Sequence, residues 1–217
     1  MSGPWPTWET ERTLWARGLR WVAGLDEAGR GAWAGPVTAA AVVFAPATSP
    51  LPCLRDSKAL SPRQREACAA RIRAVAAAWA VGWAAPHEVD AAGVVEATRR
   101  AMRRALAGLG LTPDYLLLDH LRLPEVPVPQ RARPKADAHW ASVAAASILA
   151  KVARDAYMRA VSPAFPGFGF GRHKGYGTAM HRAALARYGP TPLHRRSFRP
   201  VAMRAGAWPA AVPRARR

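Results

Sequence analysis

The sequence predicts an α/β layered fold, and three observations predict it. Short apolar runs of strand character alternate with longer stretches of helical periodicity. The GAWAG connection between the first two apolar runs is short, which favours an antiparallel pair. An alanine-rich stretch over residues 138–161 is able to pack close to a sheet. A chain of 217 residues, half of them hydrophobic, can bury one good-sized core. No internal repeat is evident.

Residues 7–18 read as an amphipathic helix with Leu14 and Trp15 inward and Gly18 ending it. Trp21-Val22-Ala23-Gly24-Leu25 is a buried strand that ends in two adjacent carboxylates, Asp26 and Glu27, followed by Gly29-Arg30-Gly31. Residues 36–44 (PVTAAAVVF) form a second strand, and the Pro- and Ser-rich residues 45–52 a loop. Ser61-Pro62-Arg63-Gln64 is a capping box with proline at the first helical position. Cys68, Ile72, Val75 and Trp79 then recur at helical spacing and carry that helix to about Ala78. Residues 80–85 are a short strand. Residues 86–109 are the next helix, with Val95, Met102 and Leu106 on one face and Arg99, Arg100, Arg103 and Arg104 mostly on the other. Residues 115–118 are a central strand ending in Asp119, and the Pro-rich residues 123–134 a loop with room for a short edge strand. A third long helix over 138–161 and a last one near 178–188 follow. The domain reading is an N-terminal extension (1–20), a core (21–161), a helical C-terminal part (162–205) and a disordered basic tail (206–217).

The chain carries 32 Lys+Arg against 14 Asp+Glu, a formal charge of +18. That excess points to a polyanionic partner, nucleic acid before membrane surface. No apolar stretch reaches the roughly 18 residues of a membrane span, and the N-terminus lacks the pattern of a secretory signal. Cys53 and Cys68 form no metal motif and suggest a reducing cytosol, so a cytoplasmic location is expected.

Ionised carboxylates are rarely buried without a partner, and Asp26-Glu27 at the end of a buried strand therefore calls for a bound cation. Asp119 ends a second strand, and Asp137 precedes the alanine-rich helix. Strand ends and helix starts can converge on one edge of such a sheet, where four carboxylates would repel each other unless a cation neutralised them. Oxygen-only ligands select Mg²⁺ or Mn²⁺, and two such ions about 4 Å apart suit attack of water on a phosphodiester. Taken singly, Asp137 reads more readily as a helix N-cap, and Asp119 reads equally as a turn residue after a strand. Ser57 and Lys58 before a helix read as a phosphate contact or as a polar loop. Lys174 and Tyr176, in the glycine-rich loop HKGYG, read as a phosphate and sugar or base contact, or as a surface loop. His181 and His194 read as structural.

The ordered set LDEAGRG, GPV, AAAVV, DSKALS, LLLD, KAD, ASVAAASILAKVARD and HKGYGT–H–GPTPLHRRSF closely resembles bacterial ribonuclease HII over about residues 22–201. The resemblance implies the RNase H-like fold, a mixed central sheet flanked by helices, with a helical C-terminal extension. It implies that Asp26, Glu27, Asp119 and Asp137 are catalytic carboxylates that bind two divalent cations, Mn²⁺ or Mg²⁺. Gly29, Arg30 and Gly31 match the loop that reads a ribonucleotide's 2′-hydroxyl, and Tyr176 the tyrosine that packs on the sugar at an RNA–DNA junction. The implied reaction is two-metal hydrolysis of the RNA strand of RNA–DNA hybrids and incision 5′ of single ribonucleotides in duplex DNA. A monomer with 5′-phosphate and 3′-hydroxyl products is expected, serving ribonucleotide and RNA primer removal.

Rivals are another RNase H-like nuclease, ribonuclease HIII or a resolvase-like enzyme, and a non-catalytic nucleic-acid-binding module. Ribonuclease HIII normally carries an extra N-terminal domain, for which the roughly twenty residues before Trp21 leave no room. A pure binder of a polyanion gains nothing from an acidic cluster. The chain departs from the family pattern at Gly93, where asparagine is usual, at Ala136 and His120, where glycine is common, and at Trp140, often serine. None of these departures removes a metal ligand.

Overall fold

The computed structural model describes residues 5–54 and 60–204. Ser57 and Lys58, and the tail predicted to be disordered, lie outside the described residues. Five strands, β1 (Val22–Ala28), β2 (Val37–Val43), β3 (Ala78–Ala84), β4 (Tyr115–Asp119) and β5 (Gln130–Arg133), form one sheet of order β3-β2-β1-β4-β5. β1 pairs antiparallel with β2, as the short connection predicts, and β2 antiparallel with β3. β4 lies parallel to β1, and β5 parallel to β4. The sheet is therefore mixed.

Helix α1 is Glu9–Ala16, α2 Pro62–Val75, α3 Pro86–Ala107 and α4 Ala141–Val161. Short helices α5 (Phe170–His173), α6 (Ala179–Tyr188) and α7 (Arg199–Ala202) make up the C-terminal part. Alternation along the strands decides which helix each side chain meets. Ala23 and Leu25 of β1, Val37, Ala39 and Ala41 of β2, and Leu116 and Leu118 of β4 pack under Ala97, Ala101 and Met102 of α3. Ala40, Val42 and Phe44 pack instead against Cys68 and Ile72 of α2 and the alanines of α4.

Gly24 permits a backbone-to-backbone approach between the sheet and α4. A Cβ there would lie 2.2 Å from the backbone carbon of Ser142, so β1 touches the main chain of the first turn of α4. The same turn is gripped from the other side by the N-terminal extension. Glu11 Oε1 accepts from Ser142 N (2.9 Å) and Ser142 Oγ (2.7 Å), which places a carboxylate at the positive end of α4 and satisfies one of its orphan donors. Thr7 N donates to His139 O, and Ala141 N to Thr7 O.

Three sequence expectations are corrected. α2 stops at Val75, because Ala77 N bonds Val43 O and β3 begins one residue later. Trp79, expected on the helix, is therefore a strand residue opposite Val42, and it is exposed. Val95, expected inward, is 41% exposed. Gly93 (φ 78°) breaks α3 and resets the phase of its apolar stripe, so Val89 before it and Ala97 after it face the sheet. Cys53 and Cys68, read as forming no metal motif and as suggesting a reducing cytosol, are joined in a disulfide with Cα atoms 5.7 Å apart. Their use therefore gives the cytoplasmic expectation no support.

The arginines of α3 lie outward as expected, but they are paired. Arg103 bonds Glu96 (2.7 Å) and Glu125 (3.1 Å), and Arg104 bonds Glu88 (2.8 Å). Among the described residues no helix is long and apolar enough to cross a membrane.

Gly24→Ala is expected to cost about 1–3 kcal/mol through overpacking against α4. Chemical denaturation of the purified variant measures it, and wild-type stability would contradict the close contact described.

Candidate active site

Two facts of the sheet bring the first carboxylates together. β1 and β4 are parallel with Leu25 beside Leu118, and the next step of that register sets Asp26 beside Asp119. Asp26 shares Gly24's side of β1, and Asp119 shares Leu117's side of β4, so both face the layer of α4 rather than α3. After β5, Lys135 turns the chain in a left-handed conformation (φ 57°) into a 3-10 turn over Ala136–Ala138. Ala136 N donates to Asp119 Oδ1 (2.7 Å), which clips this turn to the end of β4 and presents buried Asp137 beside it. The N-cap of α4 is Trp140, so Asp137 is not that helix's cap.

Asp26, Glu27, Asp119 and Asp137 line one cleft of about 430 Å³ together with Ala28, Gly29, Ser147, Lys151 and Tyr176. Asp26 Oδ1 accepts from Glu27 N (2.7 Å), and Ser147 also bonds its carboxylate. Burial, with Glu27 and Asp119 nearby, pushes the Asp26 carboxyl well above the usual range. Burial raises Glu27 to about 6, against the lowering effect of its 3.1 Å pair with Arg30.

The donor set fits hard divalent cations. All four groups offer oxygen only, and Glu27 Oε2 is buried without a hydrogen-bond partner. Mutual repulsion and that orphaned oxygen are both relieved by positive charge. Among the described residues no three His, Cys, Asp or Glu side chains are grouped so as to hold a metal ion by themselves. Mg²⁺ is commonly bound through one or two carboxylates and completes its shell with waters and substrate oxygens.

The glycine loop is held from behind by two buried guanidinium groups. Arg154 of α4, fully buried, donates from Nε to Pro36 O (2.9 Å) and from Nη2 to Ala34 O (3.1 Å). Its Nε lies where a Cβ on Gly29 (φ 90°) would fall, so that position accepts only glycine. Arg195, also fully buried, donates to Gly35 O and, at 2.7 Å, to Arg30 O. Burial and the neighbouring Arg154 push Arg195 down to about 9, which leaves it charged at neutral pH. Gly31 is exposed, and a Cβ there would meet open space.

Tyr176 reaches the cleft from the C-terminal part. Lys151 Nζ lies 5.6 Å and the Arg154 guanidinium 5.3 Å from its ring centroid. Lys174 does not line the cleft with it. Its ammonium turns back to the carbonyls of Gly171 and Arg172, and burial lowers its pKa. Arg30 contributes its pair with Glu27 rather than the cleft wall.

Sequence reasoning assigned no role to Ser147, Lys151, Arg154 or Arg195. The first three carried a signal, since they recur at i, i+4 and i+7 in a helix otherwise rich in alanine. His120, a departure from the family pattern where glycine is common, has a positive φ of 56°, which glycine adopts more readily than histidine. Gly93 (φ 78°, ψ 160°) lies in a region open essentially to glycine alone, so its backbone does not account for the asparagine usual in the family.

The ribonuclease HII family model matches residues 23–201. A ribonuclease HII of Roseiflexus castenholzii is 51% identical over 205 residues, covering 93% of this chain and 92% of the relative. One from Thermus thermophilus is 53% identical over 192 residues, covering 88% and 92%. The crystal structure of ribonuclease H2 from Pyrococcus horikoshii superimposes with a TM-score of 0.70 at 26% identity, over 86% of this chain and 97% of that one. The family model and these relatives match nearly the whole chain over a mixed sheet of the same fold, so this chain belongs to the ribonuclease HII family and is a ribonuclease H endonuclease.

Proposed function

We propose that the enzyme hydrolyses the RNA strand of RNA–DNA hybrids and cuts duplex DNA on the 5′ side of a single embedded ribonucleotide. The products carry 5′-phosphate and 3′-hydroxyl ends, as ribonucleotide excision and primer removal require. The observation that carries the reading is that Gly29 and Tyr176, far apart in sequence, line the same cleft as the four carboxylates. Asp26, Glu27, Asp119 and Asp137 would hold two divalent cations, Mg²⁺ or Mn²⁺. When bound, such ions lower the pKa of water and offset charge on the phosphate.

The chain's own groups orient and select. Arg30, Ser147 and the Ala136 amide hold Glu27, Asp26 and Asp119 in place. A ribose differs from a deoxyribose by one hydroxyl, which both donates and accepts. Main-chain N–H and C=O groups at Gly29–Gly31 can answer both roles, because Gly31 leaves the backbone open to approach. Arg154 and Arg195 keep that loop from moving away. The Tyr176 ring packs on the following sugar, where a second 2′-hydroxyl would crowd it. Lys151 adds positive charge beside the phosphate. The enzyme acts on this reading as a cytoplasmic monomer.

Asp26→Asn separates the charge of the site from its chemistry. Cleavage is expected to fall on the order of a thousandfold, the loss of several kcal/mol of charge stabilisation. Metal-free stability should move the other way. A carboxyl whose pKa is raised by folding stabilises the fold below its unfolded pKa and loses that contribution as pH rises through the folded value. With Glu27 near 6 and Asp26 raised beside it, the metal-free protein should weaken between about pH 4 and pH 7, and the variant should melt higher than wild type at pH 8 but not at pH 4.5. Thermal melts in EDTA and timed digestion in Mn²⁺ test both halves.

Tyr176→Ala should lose about ten- to a hundredfold on a duplex with one ribonucleotide and less on a continuous hybrid. Equal losses on the two substrates would remove the junction-reading role. Gly31→Val should abolish cutting of both substrates while the protein melts as wild type, because the added methyl groups meet substrate and not protein. A lowered melting temperature would instead assign the loss to folding.

A further inference from the structure

Three histidines surround the backbone of the loop that carries Tyr176, and none of them reaches the cleft. His181 and His194 are 0% and 2% exposed. Their Nε2 atoms lie 3.0 Å apart, so one ring must donate and the other accept. The neighbours decide which. Thr191 N, which can only donate, lies 2.9 Å from His194 Nδ1, so that nitrogen is the acceptor and the proton of a neutral His194 sits on Nε2. His194 Nε2–H therefore points at His181 Nε2, which must be bare. The proton of His181 is then on Nδ1, 3.0 Å from Tyr176 O. The chain Thr191 N–H, His194, His181, Tyr176 C=O has one direction only.

The third ring fits the same scheme. His173 Nδ1 accepts from Gly175 N (3.2 Å), its Nε2 bonds Phe168 O, and its ring stacks on His181 at 4.5 Å. Phe170 packs edge-on to all three rings or tilted against them. This apolar enclosure pushes His194 down to about 3 and His181 to about 4, so both stay neutral in the working range. Gly175, between the histidines and Tyr176, abuts Ala34 so closely that a Cβ would fall 2.2 Å from its carbonyl oxygen. Gly175 O in turn accepts from Trp33 N at 2.8 Å. The tyrosine's backbone is thus pinned on one side by the segment after the glycine loop and on the other by the histidine pair.

We infer that His194 and His181 are positioning residues, which deliver an N–H of fixed direction to the Tyr176 carbonyl and thereby hold the Tyr176 ring at the cleft. The inference rests on the reading of Tyr176 as the residue that packs on the sugar.

The tautomers are tested first, on the unmodified protein, by long-range ¹H–¹⁵N correlation of the imidazoles at pH 7. His181 is expected as the Nδ1–H form and His194 as the Nε2–H form. The opposite tautomer at His181, or a charged ring, overturns the inference without any variant having to fold. Kinetics on single-ribonucleotide duplex test the consequence. His181→Ala should lower kcat about ten- to a hundredfold with KM little changed. His181→Asn, whose amide can donate to the same carbonyl, should recover most of that loss. In a Tyr176→Ala background His181→Ala should cost nothing further, because its effect passes through the tyrosine. A loss that persists in that background overturns the histidine role alone. Wild-type cleavage by Tyr176→Ala overturns the reading of Tyr176 and the inference built on it.

Discussion

The contact between the backbone of β1 and the first turn of α4 is the one on which the site depends. It exists because Gly24 has no side chain, and it brings α4 so near that Ser147, one turn further along, bonds Asp26. The same turn of α4 follows directly on the 3-10 segment that presents Asp137. A helix seated further from the sheet would separate Asp137 from Asp26 and Asp119. Glu11 fixes the seat from outside, since its carboxylate takes both the amide and the hydroxyl of Ser142. The N-terminal helix is therefore part of the mechanism that locates the carboxylates, although it contributes nothing to the cleft.

Electrostatically the molecule solves two opposite problems. Its total charge of +18 favours approach to a polyanion, yet four carboxylates meet at one cleft. The buried cations do not neutralise those carboxylates. Arg154 and Arg195 donate to the carbonyls of residues 30, 34, 35 and 36, which holds the glycine loop, while Arg154 Nη1 is buried without a partner. The acidic cluster is left with its repulsion, and Glu27 Oε2 with no partner. Such a site is short of positive charge by construction. On α3, by contrast, arginines and glutamates satisfy one another on the surface, which removes that face as the obvious seat for nucleic acid.

The C-terminal part links the two halves of the proposed substrate-recognition surface. Residues 33–35, which follow the glycine loop, bond the backbone at Gly175, Leu193 and Arg195. The loop near the carboxylates and the loop that carries Tyr176 are thereby one connected surface. Aromatic and histidine rings around Phe168 and Phe170 form the small core beneath it.

Local chemistry makes much of this legible in the sequence. Apolar alternation, the Ser61 capping box and the short GAWAG link specify strands, a helix start and an antiparallel pair, because each acts over a few residues. Asp26-Glu27 and Asp119 stood out as charges at the ends of apolar runs. Errors came where two periodicities overlapped or a phase changed. Trp79 sits at helical spacing from Val75 yet lies in a strand, and Val95 lost its inward phase to the kink at Gly93. What the sequence could not decide was which charges are buried. Arg195 is fully buried and Arg196 exposed, though the two are identical neighbours. Lys174 faces its own loop carbonyls and Tyr176 faces the cleft. The sequence by itself determined the elements and the residue types at their ends, since propensity and amphipathic period are local. Tertiary structure alone decided their convergence, because register, the parallel placement of β4 beside β1 and the close approach at Gly24 are set between segments about ninety or more residues apart.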